Sequence, residues 1–116
     1  MVELFEHPLS PYARKVKILL YEKGIPLERR FVNPLAGRDD PALREWAKSS
    51  PRLEVPTLVD GDARVFDSTI IVEYLEERWP EPATQPASPA ERARVRMLEE
   101  VCDTCFEHTT VTAHRF

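Results

Sequence analysis

Ser10 is the residue whose type and place in the chain most suit chemistry. It lies between a short apolar run, residues 2–5, and a helical pattern that begins at Pro11. Serine is a favoured helix N-cap and proline a favoured first helical residue, so a helix is predicted to begin here. The N–H groups and the positive dipole end of that helix face the space beside the Ser10 hydroxyl, which suits an anion such as a thiolate. Many Ser-Pro helix starts bind nothing, so the motif alone assigns no function.

Cys102 and Cys105 form a second candidate, a Cys-x-x-Cys pair followed by His108. Cysteine and histidine at such spacing can hold zinc. Both cysteines lie on the apolar stripe of a predicted helix, however, and the sequence has no second Cys-x-x-Cys pair. We therefore expect the two cysteines to pack in a core, and we predict no metal site.

Composition narrows the class of protein. The chain has 116 residues, of which 42% are apolar and 31% charged, as expected for one globular domain or a small domain and part of another. The net charge of −4 comes without a basic block, which argues against a nucleic-acid partner. An apolar run of about 18 residues and a signal peptide are both absent from the sequence, so we expect neither a membrane partner nor secretion. Two cysteines are too few for a disulfide framework, so the expected location is the cytoplasm.

The first elements predict a β-α-β unit. Residues 2–6 are typical of a short strand, and the apolar spacing from Pro11 predicts an amphipathic helix that Gly24 ends. Residues 27–32 are typical of a second strand. Two strands joined by a helix are expected to be parallel.

The next elements predict an antiparallel pair and another helix. A short helix is predicted over residues 42–48 and a strand over 53–59, with Pro56 inside it. A proline cannot donate to a strand ladder, so Pro56 must lie at an edge, a bulge or the entry of the strand. Asp60-Gly61-Asp62 predicts a tight hairpin turn to a strand over 63–66. Asp67-Ser68 then begins a helix that ends near Trp79.

The remaining sequence predicts a linker and a long helix. Residues 80–88 are rich in proline and show no periodicity, which indicates a linker. Ser88-Pro89-Ala90-Glu91 has the chemistry of a capped helix start. The helix that follows carries an apolar stripe that one small domain cannot cover fully. The stripe consists of Leu98, Val101, Cys102, Cys105 and Phe106.

Four stretches together resemble the thioredoxin-like N-terminal domain of cytosolic glutathione transferases. They are Ser10-Pro11-Tyr12-Ala13-Arg14-Lys15-Val16, Glu22-Lys23-Gly24-Ile25, Glu54-Val55-Pro56-Thr57-Leu58-Val59-Asp60-Gly61 and Asp67-Ser68-Thr69-Ile70-Ile71-Val72-Glu73-Tyr74-Leu75. The resemblance implies an α/β fold with a thioredoxin-like β-α-β-β-β-α domain and a mixed four-stranded sheet over residues 1–79. It also implies a linker over 80–88, and in 89–116 the first helix of an all-α domain that is incomplete here, as in a truncated record of a longer protein.

The resemblance also implies a glutathione site. Ser10 corresponds to the hydroxyl that faces the glutathione sulfur. Val55 would pair with the cysteinyl backbone of the tripeptide through its own N–H and C=O groups, next to a cis Pro56. Asp67 would pair with the α-ammonium group, and Ser68 would receive the γ-glutamyl carboxylate at a helix N-terminus.

Two residues depart from the family pattern. Glu54 stands where the family often has Lys or Gln near the glycine carboxylate of glutathione, which a glutamate would repel. Leu53 replaces a common glycine. The glycine end of the glutathione site is therefore the part that fits the family least.

The implied activity is that of a glutathione transferase, with glutathione as co-substrate and a small electrophile as the second substrate. A thiol of pKa about 8.5 is only a few per cent ionised at pH 7. A hydroxyl donor and a helix N-terminus could lower that pKa by about two units, or about 2.7 kcal/mol. Ser10 itself cannot carry out thiol–disulfide exchange, which needs a sulfur. The alternative is a non-catalytic, glutathione-sensing or regulatory family member, and in either case the family resemblance implies a homodimer.

Overall fold

The computed structural model describes residues 1–33 and 40–107. The chain divides into two compact units, Met1–Pro82 and Ala83–Phe116. The first unit contains seven elements in this order: β1 (Val2–Glu6), α1 (Pro11–Glu22), β2 (Leu27–Phe31), α2 (Pro41–Ser49), β3 (Thr57–Asp60), β4 (Ala63–Phe66) and α3 (Ser68–Arg78). The second contains α4 (Pro89–Val101), which continues into a π-helical segment, Cys102–Glu107.

The four strands form one mixed sheet in the order β2-β1-β3-β4. Strand β1 pairs with β2 in parallel and with β3 antiparallel, and β3 pairs with β4 antiparallel. The predicted α/β, thioredoxin-like arrangement with a mixed four-stranded sheet is confirmed. The predicted hairpin turn is also present, and Gly61 adopts the left-handed φ of 60° that it requires.

The core has two clusters because successive side chains of a strand point to opposite faces of the sheet. Val2 and Leu4 of β1 pack with buried residues of α1 and α3, among them Leu20 and Leu75. Phe5 packs instead with Val32 and with Trp46 of α2. Helices α1 and α3 therefore cover one face of the sheet, and α2 covers the other.

Strand β3 begins at Thr57, four residues later than predicted from the sequence. Leu53 has a φ of 52°, which lies in the left-handed region and cannot belong to a strand. Pro56 has no N–H to donate to a neighbouring strand. Residues 53–56 therefore approach the sheet as an irregular segment rather than as part of it.

Cys102 and Cys105 do not pack in a core in this chain, which agrees with the expectation that the apolar stripe on which they lie is not fully covered. Both cysteines are exposed, and α4 buries none of its residues. Leu98 and Val101 are likewise 62% and 46% exposed. The segment Cys102–Glu107 is π-helical, so it does not have the 3.6 residues per turn that the predicted apolar stripe assumed. An apolar stripe is buried only where another element packs on it.

Candidate active site

The strand register brings three predicted site segments to one edge of the sheet. Phe5 of β1 lies opposite Thr57 of β3, and Thr57 lies opposite Phe66 of β4. The carboxyl ends of β1 and β4 therefore meet the amino end of β3. The chain continues from these ends to Ser10 after β1 and to Asp67-Ser68 after β4, and it enters β3 from Val55-Pro56.

Ser10 is the N-cap of α1, as predicted. Its Oγ accepts a hydrogen bond from the N–H of Ala13 at 3.1 Å, and its side chain is half-buried. A hydroxyl has one proton to donate and two lone pairs that accept. Because Ser10 Oγ accepts from the backbone, its proton can point away from the helix and toward a ligand.

His7 has a structural role beside Ser10. Its Nδ1 accepts a hydrogen bond from the Leu9 N–H at 3.1 Å, and its carbonyl accepts one from the Ser10 N–H at 3.0 Å. The imidazole also lies against Phe31, with ring centroids 5.2 Å apart. These contacts hold the turn between β1 and α1 in the shape that places Ser10.

Asp67 and Ser68 open the third helix. The Oδ1 atom of Asp67 accepts from the N–H groups of Thr69 at 3.0 Å and Ile70 at 3.3 Å. Asp67 has a φ of 75°, and Ser68 is buried. The first N–H groups of a helix have no partner within that helix, so an N-terminus suits an anion.

Helices α1 and α3 are joined close to their N-termini. The Nζ atom of Lys15 lies 3.4 Å from the Oγ1 atom of Thr69, the second residue of α3. The helices that Ser10 and Ser68 open are therefore neighbours with their N-termini at the same edge of the sheet. Two helix N-termini and Lys15 favour negative charge there, and the Asp67 carboxylate already supplies part of it.

Val55 and Pro56 are joined by a cis peptide bond, as predicted. Val55 is half-buried against the cluster of Phe5, Val32 and Trp46, and Pro56 is buried. Val55 and Pro56 are therefore the part of the irregular segment that packs against the protein interior, directly before β3.

Glu54 has a partner that reasoning from the sequence missed. The Nη2 atom of Arg52 lies 3.0 Å from Glu54 Oε1, and both side chains are more than half exposed. The negative charge of Glu54 is thus partly balanced at the glycine end of the candidate site. Leu53, which lies between the two residues, has a left-handed φ of 52°, and a leucine does not signal that conformation in the sequence.

Within residues 1–33 and 40–107, there is no group of three or more His, Cys, Asp or Glu side chains that could hold a metal ion. In the same part of the chain, none of the helices has the length and apolar character needed to cross a membrane.

Comparison with known proteins identifies the class. The family model described as the N-terminal domain of glutathione S-transferase matches residues 4–83. The chain belongs to the glutathione S-transferase family.

Individual relatives agree with this assignment. A stringent starvation protein A homolog of Haemophilus ducreyi is 37% identical over 97 residues, which are 84% of this chain and 43% of the relative. A solved glutathione S-transferase of Rhodospirillum rubrum is 36% identical with a TM-score of 0.83, over 93% of this chain and 47% of the other. A glutathione S-transferase of Methylobacterium radiotolerans, solved in complex with glutathione sulfonate, is 31% identical with a TM-score of 0.78, over 88% and 46%. The chain spans about half the length of these relatives.

Proposed function

We propose that this protein binds glutathione and activates its thiol for attack on a small electrophilic substrate. The observation that supports this most is the hydrogen bonding of Ser10, whose Oγ accepts from the Ala13 N–H and so has its proton available for a thiolate. Membership of the glutathione S-transferase family, together with a relative solved with glutathione sulfonate, supports glutathione as the ligand.

The tripeptide would lie along the edge of the sheet between the two helix N-termini. Ser68 would receive the γ-glutamyl carboxylate, and Asp67 would pair with the α-ammonium group through its carboxylate. Val55 would pair with the cysteinyl backbone, which brings the cysteinyl sulfur toward Ser10. The glycine carboxylate would then meet Glu54 and the neighbouring Arg52, whose guanidinium offsets the repulsion that Glu54 alone would produce.

In the proposed reaction, the glutathione thiol loses its proton to solvent and Ser10 stabilises the resulting thiolate. The thiolate then forms a carbon–sulfur bond with the electrophile, and the leaving group departs with the electron pair of the bond that breaks. Ser10 donates a hydrogen bond throughout and forms no covalent bond. A hydrogen bond to a charged group contributes about 1.5–3 kcal/mol, which corresponds to roughly ten- to hundredfold in rate.

Replacing Ser10 tests this role. Ser10→Ala should lower turnover of a chromogenic aryl halide by roughly ten- to hundredfold, and it should change the Kd of glutathione less. Ser88→Ala is a matched control, because Ser88 is also the N-cap of a helix that begins with proline, and its Oγ accepts from the Glu91 N–H at 3.3 Å. Equal turnover in Ser10→Ala and Ser88→Ala would refute the assignment.

A non-catalytic, regulatory function is the second candidate. It is favoured by the similarity to a protein named a stringent starvation protein A homolog and by the acidic Glu54 at the glycine end of the site. The two candidates differ in an assay of the purified protein. Retention on immobilised glutathione together with turnover supports the enzyme, whereas retention without turnover supports the regulatory protein.

The organisation of the whole protein is also proposed. We assign residues 1–79 to the glutathione-binding domain, 80–88 to the linker and 89–116 to the start of an α-helical domain. We propose that the intact protein forms a homodimer in the cytoplasm, as the family resemblance implies. The exposed apolar residues of α4, including Leu98 and Val101, are consistent with a helix that packs against further helices. Sedimentation of the intact protein as a monomer at micromolar concentration would contradict the dimer.

A further inference from the structure

A buried network of three side chains lies beneath the segment that enters β3. Trp46, Ser50 and Thr57 are each 0% exposed, and each is linked to Glu54 directly or through one other side chain. We propose that these three are positioning residues, which fix the backbone of Glu54 and thereby aim the N–H and C=O groups of Val55 at the ligand. This inference rests on the proposed binding of glutathione.

Both backbone groups of Glu54 are bound from the interior. Its carbonyl accepts from Thr57 Oγ1 at 3.0 Å and from Ser50 Oγ at 3.4 Å. Its N–H donates to Ser50 Oγ at 3.3 Å. The Glu54 backbone is therefore turned toward the core although its side chain is exposed to solvent.

Trp46 determines which way the Thr57 hydroxyl points. The Trp46 indole N–H lies 3.2 Å from Thr57 Oγ1 and can only donate. Thr57 Oγ1 must accept this bond, so its own proton is directed to the Glu54 carbonyl. A hydroxyl without the indole could rotate between several acceptors, whereas this one has a fixed orientation.

The consequence for Val55 follows from the hydrogen bonding of the backbone. Within residues 1–33 and 40–107, Ser50 and Thr57 bind both backbone groups of Glu54, whereas the backbone groups of Val55 make no hydrogen bond. The N–H and C=O of Val55 therefore remain available for antiparallel pairing with the cysteinyl backbone of glutathione.

The benefit of such a network is preorganisation. A backbone that is fixed before the ligand arrives loses less conformational freedom on binding. Trp46, Ser50 and Thr57 are fully buried, so in this proposal they act on affinity through the backbone of Glu54 and Val55.

The first test measures the Kd of glutathione by calorimetry in variants of the full chain. Thr57→Val keeps the shape of the side chain and removes its hydroxyl, and Ser50→Ala removes the second donor. Each should raise the Kd by about five- to tenfold, since each removes one hydrogen-bonding partner of Glu54. Thr57→Ser keeps the hydroxyl, so it should restore the Kd to within about twofold of the unaltered chain.

Tyr74→Phe is the matched control for stability. It removes the hydrogen bond from the Tyr74 hydroxyl to Asp60, 2.6 Å long, at the opposite end of β3 from Val55. Its Kd should equal that of the unaltered chain. A Kd that is unchanged in Thr57→Val and Ser50→Ala would overturn the inference, and so would an equal rise in Tyr74→Phe.

Amide hydrogen exchange distinguishes a positioning role of the network from a purely structural one. The Glu54 amide should be protected in the free protein and lose protection in Ser50→Ala. The Val55 amide should exchange fast in the free protein and become protected when glutathione is added. A Val55 amide that is already protected without ligand, or that exchanges equally fast with it, would overturn the inference.

Absence of glutathione binding by the unaltered chain would refute the proposed function as well, whereas unaltered Kd values in the variants refute the inference alone.

Discussion

Lys23 presents the sharpest test of what stabilises the first unit. Its side chain is fully buried at the end of α1, yet its ammonium group has three partners. The Nζ atom donates to the carbonyls of Trp79 at 2.6 Å and Pro82 at 2.8 Å, and it lies 3.2 Å from Glu76 Oε2. One buried cation thus fastens the end of α1 to the end of α3 and to the segment that follows it.

Replacing Lys23 by methionine removes the buried cation that these three partners share. Removal of one partner from a buried ion pair costs about 3–5 kcal/mol. The Glu76 side chain is 19% exposed and can regain some water, which favours the lower end of that range. We therefore expect Lys23→Met to lower the free energy of unfolding by about 3 kcal/mol, a large share of the roughly 5–15 kcal/mol that stabilises a typical protein.

Urea denaturation followed by circular dichroism measures this loss. With a slope of about 1–3 kcal/mol per molar urea, the midpoint should fall by about 1–3 M. Lys48→Met is the matched control, because Lys48 lies at the same 3.2 Å from Glu45 but both side chains are largely exposed. An exposed pair contributes about 0.2–1 kcal/mol. The reasoning would be refuted if the two substitutions lowered the midpoint by similar amounts.

Two further predictions concern the backbone of Leu53 and the hydroxyl of Tyr74. Leu53→Gly should raise the free energy of unfolding by about 0.5–1 kcal/mol, because glycine adopts a φ of 52° without the strain that a Cβ causes there. A urea midpoint lower than that of the unaltered chain would contradict this prediction. The hydrogen bond to Asp60, followed by burial, raises the pKa of Tyr74 above its ordinary value of 10.0. This stabilisation is complete below the unfolded pKa and is lost as pH rises through the folded pKa. The difference in urea midpoint between the unaltered chain and Tyr74→Phe should therefore shrink above about pH 10, and a constant difference would count against this reasoning.

The sequence by itself determined the features that depend on residues close together in the chain. The serine caps of α1 and α4 each involve an N–H three residues away, and both were predicted from Ser-Pro pairs. Gly24, with a φ of 66°, and Gly61, with a φ of 60°, end a helix and form a turn for the same local reason. Strand alternation and helical periodicity then predicted the mixed sheet, and the order of the four motifs predicted the family.

Only the tertiary structure decided the features that depend on distant residues. Lys23 looks in the sequence like an ordinary last-turn lysine, yet its partners are as far as 59 residues away and bury it completely. The Glu54 side chain is paired with Arg52 and its backbone is bound by a buried network, neither of which a local pattern indicates. Cys102 and Cys105 have the spacing of buried residues but are exposed, since periodicity gives the direction of a helix face and not whether another element covers it. Burial and long-range pairing depend on which segments meet in the folded chain, and that information belongs to no short stretch of sequence.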